Sequence, residues 1–264
     1  MMIRMNQAAF SSPLGIANDP TLRFCNAKVR QWQPQASRHV LHEEIFAAPD
    51  EASGVGMALA LAREELRYPS PEGKERSQKA VLWVQDRAAL RLGGRPYYHG
   101  LPEDLRGRLI HVAADRPEDA LFALEEGLSC RDMAFVIGEI TGNPKALDFT
   151  ASRRLSLATE RYGVPLYLVR LGAERDLSSA RMRWAVWPVR SLAPLWNKAA
   201  PGLPSWQAHL SRTRGHLPGE WIFRDEGSAL LIERPRNNGP FHDASNDPGH
   251  APSDSDDLAG AVGD

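Results

Sequence analysis

The sequence predicts an α/β fold, in which helices flank a mainly parallel sheet that ends in antiparallel strands at its C-terminal edge. Short apolar runs alternate with segments of helical period from residue 39 to residue 171. That rhythm implies right-handed βαβ crossovers and parallel strands. The first run leads through small residues into an Ala/Leu-rich helix near Gly54. After Leu171 alternating runs continue without obvious helices, which indicates antiparallel pairing.

Each element is predicted from its own pattern. Short apolar runs between turn-rich flanks are typical of strands buried on both faces, and they predict strands at 39–46, 80–85, 109–114, 133–140 and 165–171. Apolar residues at helical spacing predict helices at 57–66, 117–128 and 151–162, with a helical turn at 86–92. Asp148 or Thr150 is expected to cap the helix at 151–162, and Gly163 to end it. Beyond residue 171 we expect a strand at 181–189 and a hairpin at 219–232.

Composition indicates an ordinary globular protein. The chain has 264 residues, 42% of them hydrophobic and 25% charged, and a net charge of −1 that gives no global argument for nucleic acid binding. Cys25 and Cys130 are too few for a disulfide framework. No apolar run is long enough to span a membrane, and the first residues lack the apolar core of a signal peptide. We therefore expect a cytoplasmic protein with reduced thiols.

The stretch from Ile45 to Leu61 has the layout of a phosphate-binding loop without its chemistry. A working loop requires G-x-x-x-x-G-K-[ST], in which Lys contacts the outer phosphates and Ser or Thr binds Mg²⁺. Alignment of Gly54 with the second glycine places Pro49 on the first glycine and Ser53 directly before Gly54. Val55 then replaces the lysine and Gly56 replaces the hydroxyl residue. We expect a degenerate nucleotide loop, no ATPase and no cofactor, although backbone N–H groups at the helix start could still attract an anion.

Glu139 is the other residue considered for this loop. It ends an apolar run that is expected to lie beside the loop strand, where a P-loop enzyme has a carboxylate for Mg²⁺ or water. Without the lysine and the hydroxyl group there is no metal for it to hold, so we interpret it as a remnant or as a partner for a basic residue. The eight histidines form no H-E-x-x-H motif and G-x-S-x-G is absent, so no metal site and no catalytic residue is predicted.

The second half of the chain is basic. Residues 150–236 contain 14 Lys and Arg against 7 acidic residues, a net charge of +7. Alternation at 181–187 places Met182, Trp184 and Val186 on the core side and the intervening residues on the other side. Arg with interleaved Trp is typical of protein interfaces and of single-stranded nucleic-acid grooves; a solvated face is the third alternative. The candidate partner or DNA-binding residues are Arg153, Arg154, Arg161, Arg181, Arg183, Trp187, Arg212 and Arg214.

The pattern divides the chain into three parts. Residues 1–37 are predicted to be an extended arm, and residues 38–235 a single domain. Residues 236–264 have no apolar periodicity, and residues 237–264 contain six aspartates and neither Lys nor Arg. Such a segment buries too little apolar surface to offset its ordering entropy, so we predict a disordered acidic tail.

Several short motifs occur together in this chain. The most specific are Thr-Ala-Ser-Arg-Arg-Leu at 150–155 and Arg-Met-Arg-Trp at 181–184; the others are Leu-His-Glu at 41–43, Val-Leu-Trp-Val-Gln at 81–85, Val-Ile-Gly-Glu at 136–139 and Arg-Thr-Arg-Gly at 212–215. With these motifs in this order, residues 38–234 resemble the ImuA family, bacterial accessory proteins of the SOS-induced mutasome. The resemblance implies a RecA-like core, related also to the division inhibitor SulA. It implies a role in translesion synthesis (error-prone DNA repair) with three partners: RecA, the polymerase homologue ImuB and a DnaE2-type polymerase.

Two other functions remain open from the sequence. A SulA-like inhibitor that binds the division GTPase FtsZ would have the same fold class and the same non-functional loop. A weak ATPase with a non-standard loop is the third hypothesis. The longer, basic second half of this chain argues against the SulA-like alternative.

Overall fold

The computed structural model describes residues 30–31, 42–67, 76–194, 196–213 and 216–235. The strands in this part of the chain are β1 (Arg30–Gln31), β2 (His42–Ala47), β3 (Ala80–Asp86), β4 (Leu109–Ala114), β5 (Met133–Thr141), β6 (Leu166–Leu171), β7 (Met182–Pro188), β8 (Ser205–Thr213), β9 (His216–Leu217), β10 (Gly219–Asp225) and β11 (Leu230–Glu233). The helices are α1 (Ser53–Arg67), α2 (Arg87–Gly93), α3 (Pro117–Ser129) and α4 (Phe149–Tyr162), with 3-10 turns at Tyr98–Gly100 and Glu103–Leu105.

Nine of these strands form one mixed sheet in the order β11-β10-β8-β7-β2-β6-β5-β3-β4. The strands from β4 to β7 in this order are parallel. Strands β8, β10 and β11 then continue the sheet in antiparallel fashion. The predicted α/β class, with a mainly parallel sheet and antiparallel strands at the C-terminal edge, is therefore confirmed. Strands β1 and β9 form a separate parallel pair.

Helices cover the sheet on both faces and create two cores. Helices α1 and α2 lie on the first face, where Met57 and Ala89 pack with Ile45 and Trp184. Helices α3 and α4 lie on the second face, where their leucines pack with β3, β5 and β6. This double cover explains why the central strands have continuous apolar sequences: all residues from Ala134 to Ile140 in β5 are buried.

Local sequence determines where the helices begin and end. Asp86 caps α2 by accepting a hydrogen bond from Ala89 N at 2.7 Å. Asp148, one of the two predicted caps, accepts from Ala151 N at 2.7 Å at the start of α4. Gly163 follows α4 with φ of 72°, a left-handed conformation that glycine adopts without strain.

The structure differs from the sequence-based predictions at three places. Helix α1 begins at Ser53 rather than at residue 57. No strand was predicted between residues 189 and 219, but residues 205–213 form the nine-residue strand β8, which pairs with β7 and β10. Within the predicted N-terminal arm, Arg30–Gln31 pairs with β9. The remainder of the arm and the predicted acidic tail lie outside the described residues. Among the described helices, none combines the length and apolar character needed to cross a membrane.

Candidate functional site

The loop between β2 and α1 brings the predicted nucleotide-binding residues to the carboxyl end of the parallel strands. Pro49 is exposed in the turn after β2, and Ser53 is the buried first residue of α1. A Cβ atom on Gly54 would lie 2.8 Å from Ala47 Cβ and 2.9 Å from Val169 Cγ1. Glycine is therefore required here so that the start of the helix can approach the sheet.

The two positions that carry chemistry in a working loop are used for packing. Val55 is half-buried and packs against the first core. A Cβ atom on Gly56 would lie 2.8 Å from Cζ2 of Trp206, an indole that is 7% exposed and reaches the loop from β8. The space that a Ser or Thr side chain would need at position 56 is therefore occupied by another side chain.

The start of α1 is also supplied with negative charge by the chain itself. The Ser53 hydroxyl donates to Glu51 Oε1 at 2.6 Å, and Asp50 is exposed next to it. A carboxylate at a helix N-terminus interacts favourably with the helix dipole. The same two acids repel a phosphate group, so this arrangement opposes the anion binding that a bare helix start would favour.

Glu139 lies apart from the loop. The sequence placed its strand beside the loop strand, but this was wrong: β6 lies between β2 and β5. Among the described residues its carboxyl has no basic partner; Oε1 accepts a hydrogen bond from Trp83 Nε1 at 2.5 Å. Burial raises the pKa of Glu139 to about 7, opposed by the hydrogen bonds from Trp83 and Gln85. Across the described residues, no three His, Cys, Asp or Glu side chains are grouped so that they could hold a metal ion.

The structure divides the predicted arginine set. Arg153 is exposed on α4, and Arg154 pairs at 2.9 Å with Glu125 of α3. Arg161 lies 5.2 Å from the ring of its neighbour Tyr162. Arg181 pairs with Glu160 of α4. These four residues share the α4 side of the molecule.

The other predicted residues are in different surroundings. Arg212 is exposed and donates to the carbonyl oxygen of Ser178 at 2.9 Å. Trp187 is half-buried, while Met182, Trp184 and Val186 lie in the first core as the alternation predicted. Arg214 lies outside the described residues.

Arg183 is an interior residue, which the sequence did not predict. It is 7% exposed, and its Nε donates to Glu44 Oε2 at 2.8 Å. The cause is the strand order: β7 pairs with β2 in a register that puts Arg183 opposite Glu44. The guanidinium also lies 4.9 Å from the ring of Phe46. Arg170 approaches both groups from β6, at 3.8 Å from Glu44 and 5.7 Å from that ring.

A buried hydrogen-bond network extends from this pair to α4. Ser178 donates to Glu44 Oε1 at 2.7 Å and lies 2.8 Å from Ser152. At the other end of β2, His42 Nδ1 is 2.7 Å from the hydroxyl of Ser156. Burial lowers the pKa of His42 to about 4. Sequence reasoning missed this network, although two serines four residues apart on the buried side of a helix were the signal.

The carboxyl next to Glu44 points to the opposite face of β2. Glu43 Oε2 accepts from Trp184 Nε1 at 2.7 Å in the first core. Burial raises the pKa of Glu43 to about 8, against the opposing effect of this hydrogen bond. Glu43 is therefore a neutral acid in the fold at neutral pH, whereas Glu44 is paired with arginines.

No known family model matches the chain. Two curated relatives, both called Protein ImuA and both from Caulobacter vibrioides (strains NA1000 / CB15N and ATCC 19089 / CIP 103742 / CB 15), are each 36% identical to it over 160 residues. The alignment covers 57% of this chain and 62% of each relative, so it spans less than two thirds of their length. This identity, together with the α/β fold that the resemblance implied, supports the similarity of the chain to the ImuA family.

Proposed function

We propose that this chain is a non-catalytic accessory protein of the SOS-induced translesion synthesis complex. In this proposal it has a RecA-like core, is cytoplasmic, and acts by binding RecA and the ImuB and DnaE2 components of the mutasome. The observation that supports it is the state of the loop after β2. Gly56 lies against Trp206 and Val55 packs against the first core, so the positions that align with the lysine and the hydroxyl residue of a phosphate-binding loop are used for packing.

The missing groups are large contributors in a working site. A hydrogen bond from a charged lysine to phosphate contributes about 1.5–3 kcal/mol. Transfer of a phosphoryl group relies almost entirely on such positioning and charge stabilisation. With a valine at position 55 and acids at positions 50 and 51, nothing in this loop supplies that stabilisation. A chain that keeps this architecture without its chemistry is suited to an adaptor role.

The α4 side of the molecule is the first candidate for partner contact. Arg153 is exposed and has no ion pair among the described residues, and Arg154 is held at a fixed place by Glu125. Arginine is enriched at protein interfaces. We also propose that residues 38–235 act as one domain, preceded by an arm and followed by an acidic tail.

Binding of purified RecA and of a purified ImuB homologue to the wild-type chain tests this function. The double variant Arg153→Glu/Arg154→Glu should bind one of them about three- to tenfold more weakly, mainly through a slower association rate. Arg131→Glu is the control, because Arg131 is also exposed but lies directly before β5 and not on α4. Unchanged affinity in the double variant would remove the α4 side from the interface.

The same experiment separates the alternatives. A wild-type chain that binds neither protein, but causes filamentation when overproduced, would replace the proposal by a SulA-like inhibitor of FtsZ. Binding heat in a calorimetric titration with millimolar ATP, or thermal stabilisation by ATP, would support the weak ATPase instead. We expect neither filamentation nor a response to ATP. ATP should not bind, because the loop lacks a cation for the phosphates.

A further inference from the structure

The segment between β7 and β8 is a long irregular loop with a closed base. It runs from residue 189 to residue 204, and its described residues, 189–194 and 196–204, contain no helix or strand. Val189 N donates to the carbonyl oxygen of Ser205 at 3.2 Å, which joins the two ends. Loops of this length without regular structure are uncommon in compact domains and are usually functional, and compact loops with adjacent ends form the Ω class.

The neck of the loop is held by a contact that only glycine permits. A Cβ atom on Gly202 would lie 1.9 Å from the carbonyl oxygen of Leu192. The two backbone segments of the neck therefore pass each other at a distance that leaves no room for a side chain at position 202. This close crossing fixes the tip of the loop relative to the sheet.

The tip has its own hydrogen bonds. Asn197 N donates to the carbonyl oxygen of Pro194 at 3.3 Å, and Ala200 N donates to that of Asn197 at 3.1 Å. The Asn197 side chain accepts from Ala199 N at 2.9 Å. Prolines at positions 188, 194, 201 and 204 further restrict the backbone. A loop that is ordered before binding loses less entropy when it meets a partner.

The tip of the loop presents a tryptophan to solvent. Trp196 is 80% exposed, and within the described residues it has no ring contact and no hydrogen bond. Leu192 and Leu203, on either side of it in the loop, are 67% and 47% exposed. Tryptophan is normally among the more buried residues, and exposed apolar groups that lie together mark interaction sites. The loop therefore has the composition of a binding surface.

The charges of the loop indicate the chemistry of the partner. Residues 188–204 contain Arg190 and Lys198, both exposed, and no acidic residue. Leucine side chains have no ring on which a base could stack, and two cations are few for a groove that follows a phosphate backbone. A tryptophan with flanking leucines and a cationic rim matches the anchors found at the centre of protein interfaces.

We propose that the described part of this loop, residues 189–194 and 196–204, is a docking site for a protein partner that offers an apolar pocket for Trp196, rimmed by carboxylates. The inference rests on the proposed function, in which the chain acts by binding proteins, and it names the surface that does so. It places the strongest contact on the loop after β7 rather than on the arginines of α4.

The test uses Trp196→Ala against purified RecA and a purified ImuB homologue. An anchoring tryptophan should lower the affinity for one of them at least about 30-fold when it is removed, and Trp196→Phe should restore part of the loss. Phe122→Ala is the matched control, since Phe122 is 66% exposed but lies on α3. In the wild-type complex, hydroxyl-radical oxidation of Trp196 should fall while that of Tyr97 stays unchanged.

The outcomes separate this inference from the proposed function. Wild-type binding that Trp196→Ala retains within twofold would overturn the inference and leave the function standing. Absence of wild-type binding to either protein would overturn both. If Trp196→Ala loses affinity for fluorescein-labelled oligodeoxythymidylate but still binds the protein partner, the loop would be assigned to single-stranded nucleic acid instead of a protein.

Discussion

Restoring the two motif residues of the loop should not restore nucleotide binding. In the variant Val55→Lys/Gly56→Ser, the new Cβ atom at position 56 would lie 2.8 Å from Cζ2 and 3.3 Å from Nε1 of Trp206. Forcing extra atoms into a packed site costs about 1–3 kcal/mol. The lysine–phosphate contact would contribute a similar amount, about 1.5–3 kcal/mol. The gain is therefore offset by strain, and the carboxylate of Glu51 still opposes the phosphate.

Two measurements check this reasoning. Calorimetry with millimolar ATP should give no binding heat for the double variant, and urea unfolding should show the loss of stability. A double-mutant cycle tests whether the strain comes from Trp206. Gly56→Ser should lower the free energy of unfolding less in a Trp206→Phe background, because phenylalanine lacks the atoms that clash. Micromolar ATP binding by the double variant, or an equal cost of Gly56→Ser in both backgrounds, would refute it.

Two further predictions concern the buried carboxyls of β2. Glu44→Ala leaves Arg170 and Arg183 in the interior without their counter-charge, and such a change should lower the free energy of unfolding by about 3–5 kcal/mol. The exposed pair Arg181–Glu160 is the control, and Arg181→Ala should cost less than about 1 kcal/mol in the same urea titration; a similar small effect for Glu44→Ala would show that water reaches the two arginines. Glu43 has a pKa raised from 4.5 to about 8, so the folded state keeps a proton that the unfolded state releases. Stability should therefore fall as pH rises from about 4.5 to about 8, and Glu43→Gln, compared with the wild type by urea unfolding near both ends of this range, should show a smaller fall. An equal fall in both proteins would assign the dependence to other groups.

The sequence predicted most of the sheet because its strands are buried on both faces. Strand β5 and helix α3 have continuous or periodic apolar patterns, and their bounds were found within two residues. The start of α1 was not predicted, because Ser53 and Gly54 do not belong to the apolar repeat of the helix. Gly54 instead permits the close approach of the helix to the sheet. Strand β8 was not predicted, although Trp206, Ala208 and Leu210 alternate along it and are buried.

The contents of the site could be predicted only in part. The local sequence is enough to show that Val55 and Gly56 stand where a working loop has a lysine and a hydroxyl residue. The indole that fills the site comes from β8, and its arrival depends on how the antiparallel strands extend the sheet past β7. Likewise, the pairing of Glu44 with Arg183 follows from the β2–β7 register. Local patterns do not encode which distant strand becomes a neighbour, so such contacts require the structure.

The division of the arginines has a consequence for how binding should respond to salt. Residues 150–236 have a net charge of +7, yet Arg183 is neutralised inside by Glu44, and Arg154 and Arg181 are paired with acids of α3 and α4. A count of charges along the sequence thus overstates the cationic surface. If Trp196 carries most of the affinity, salt should change the association rate more than the dissociation rate. A nucleic-acid interface would instead lose affinity steeply with salt, because each neutralised phosphate releases counterions.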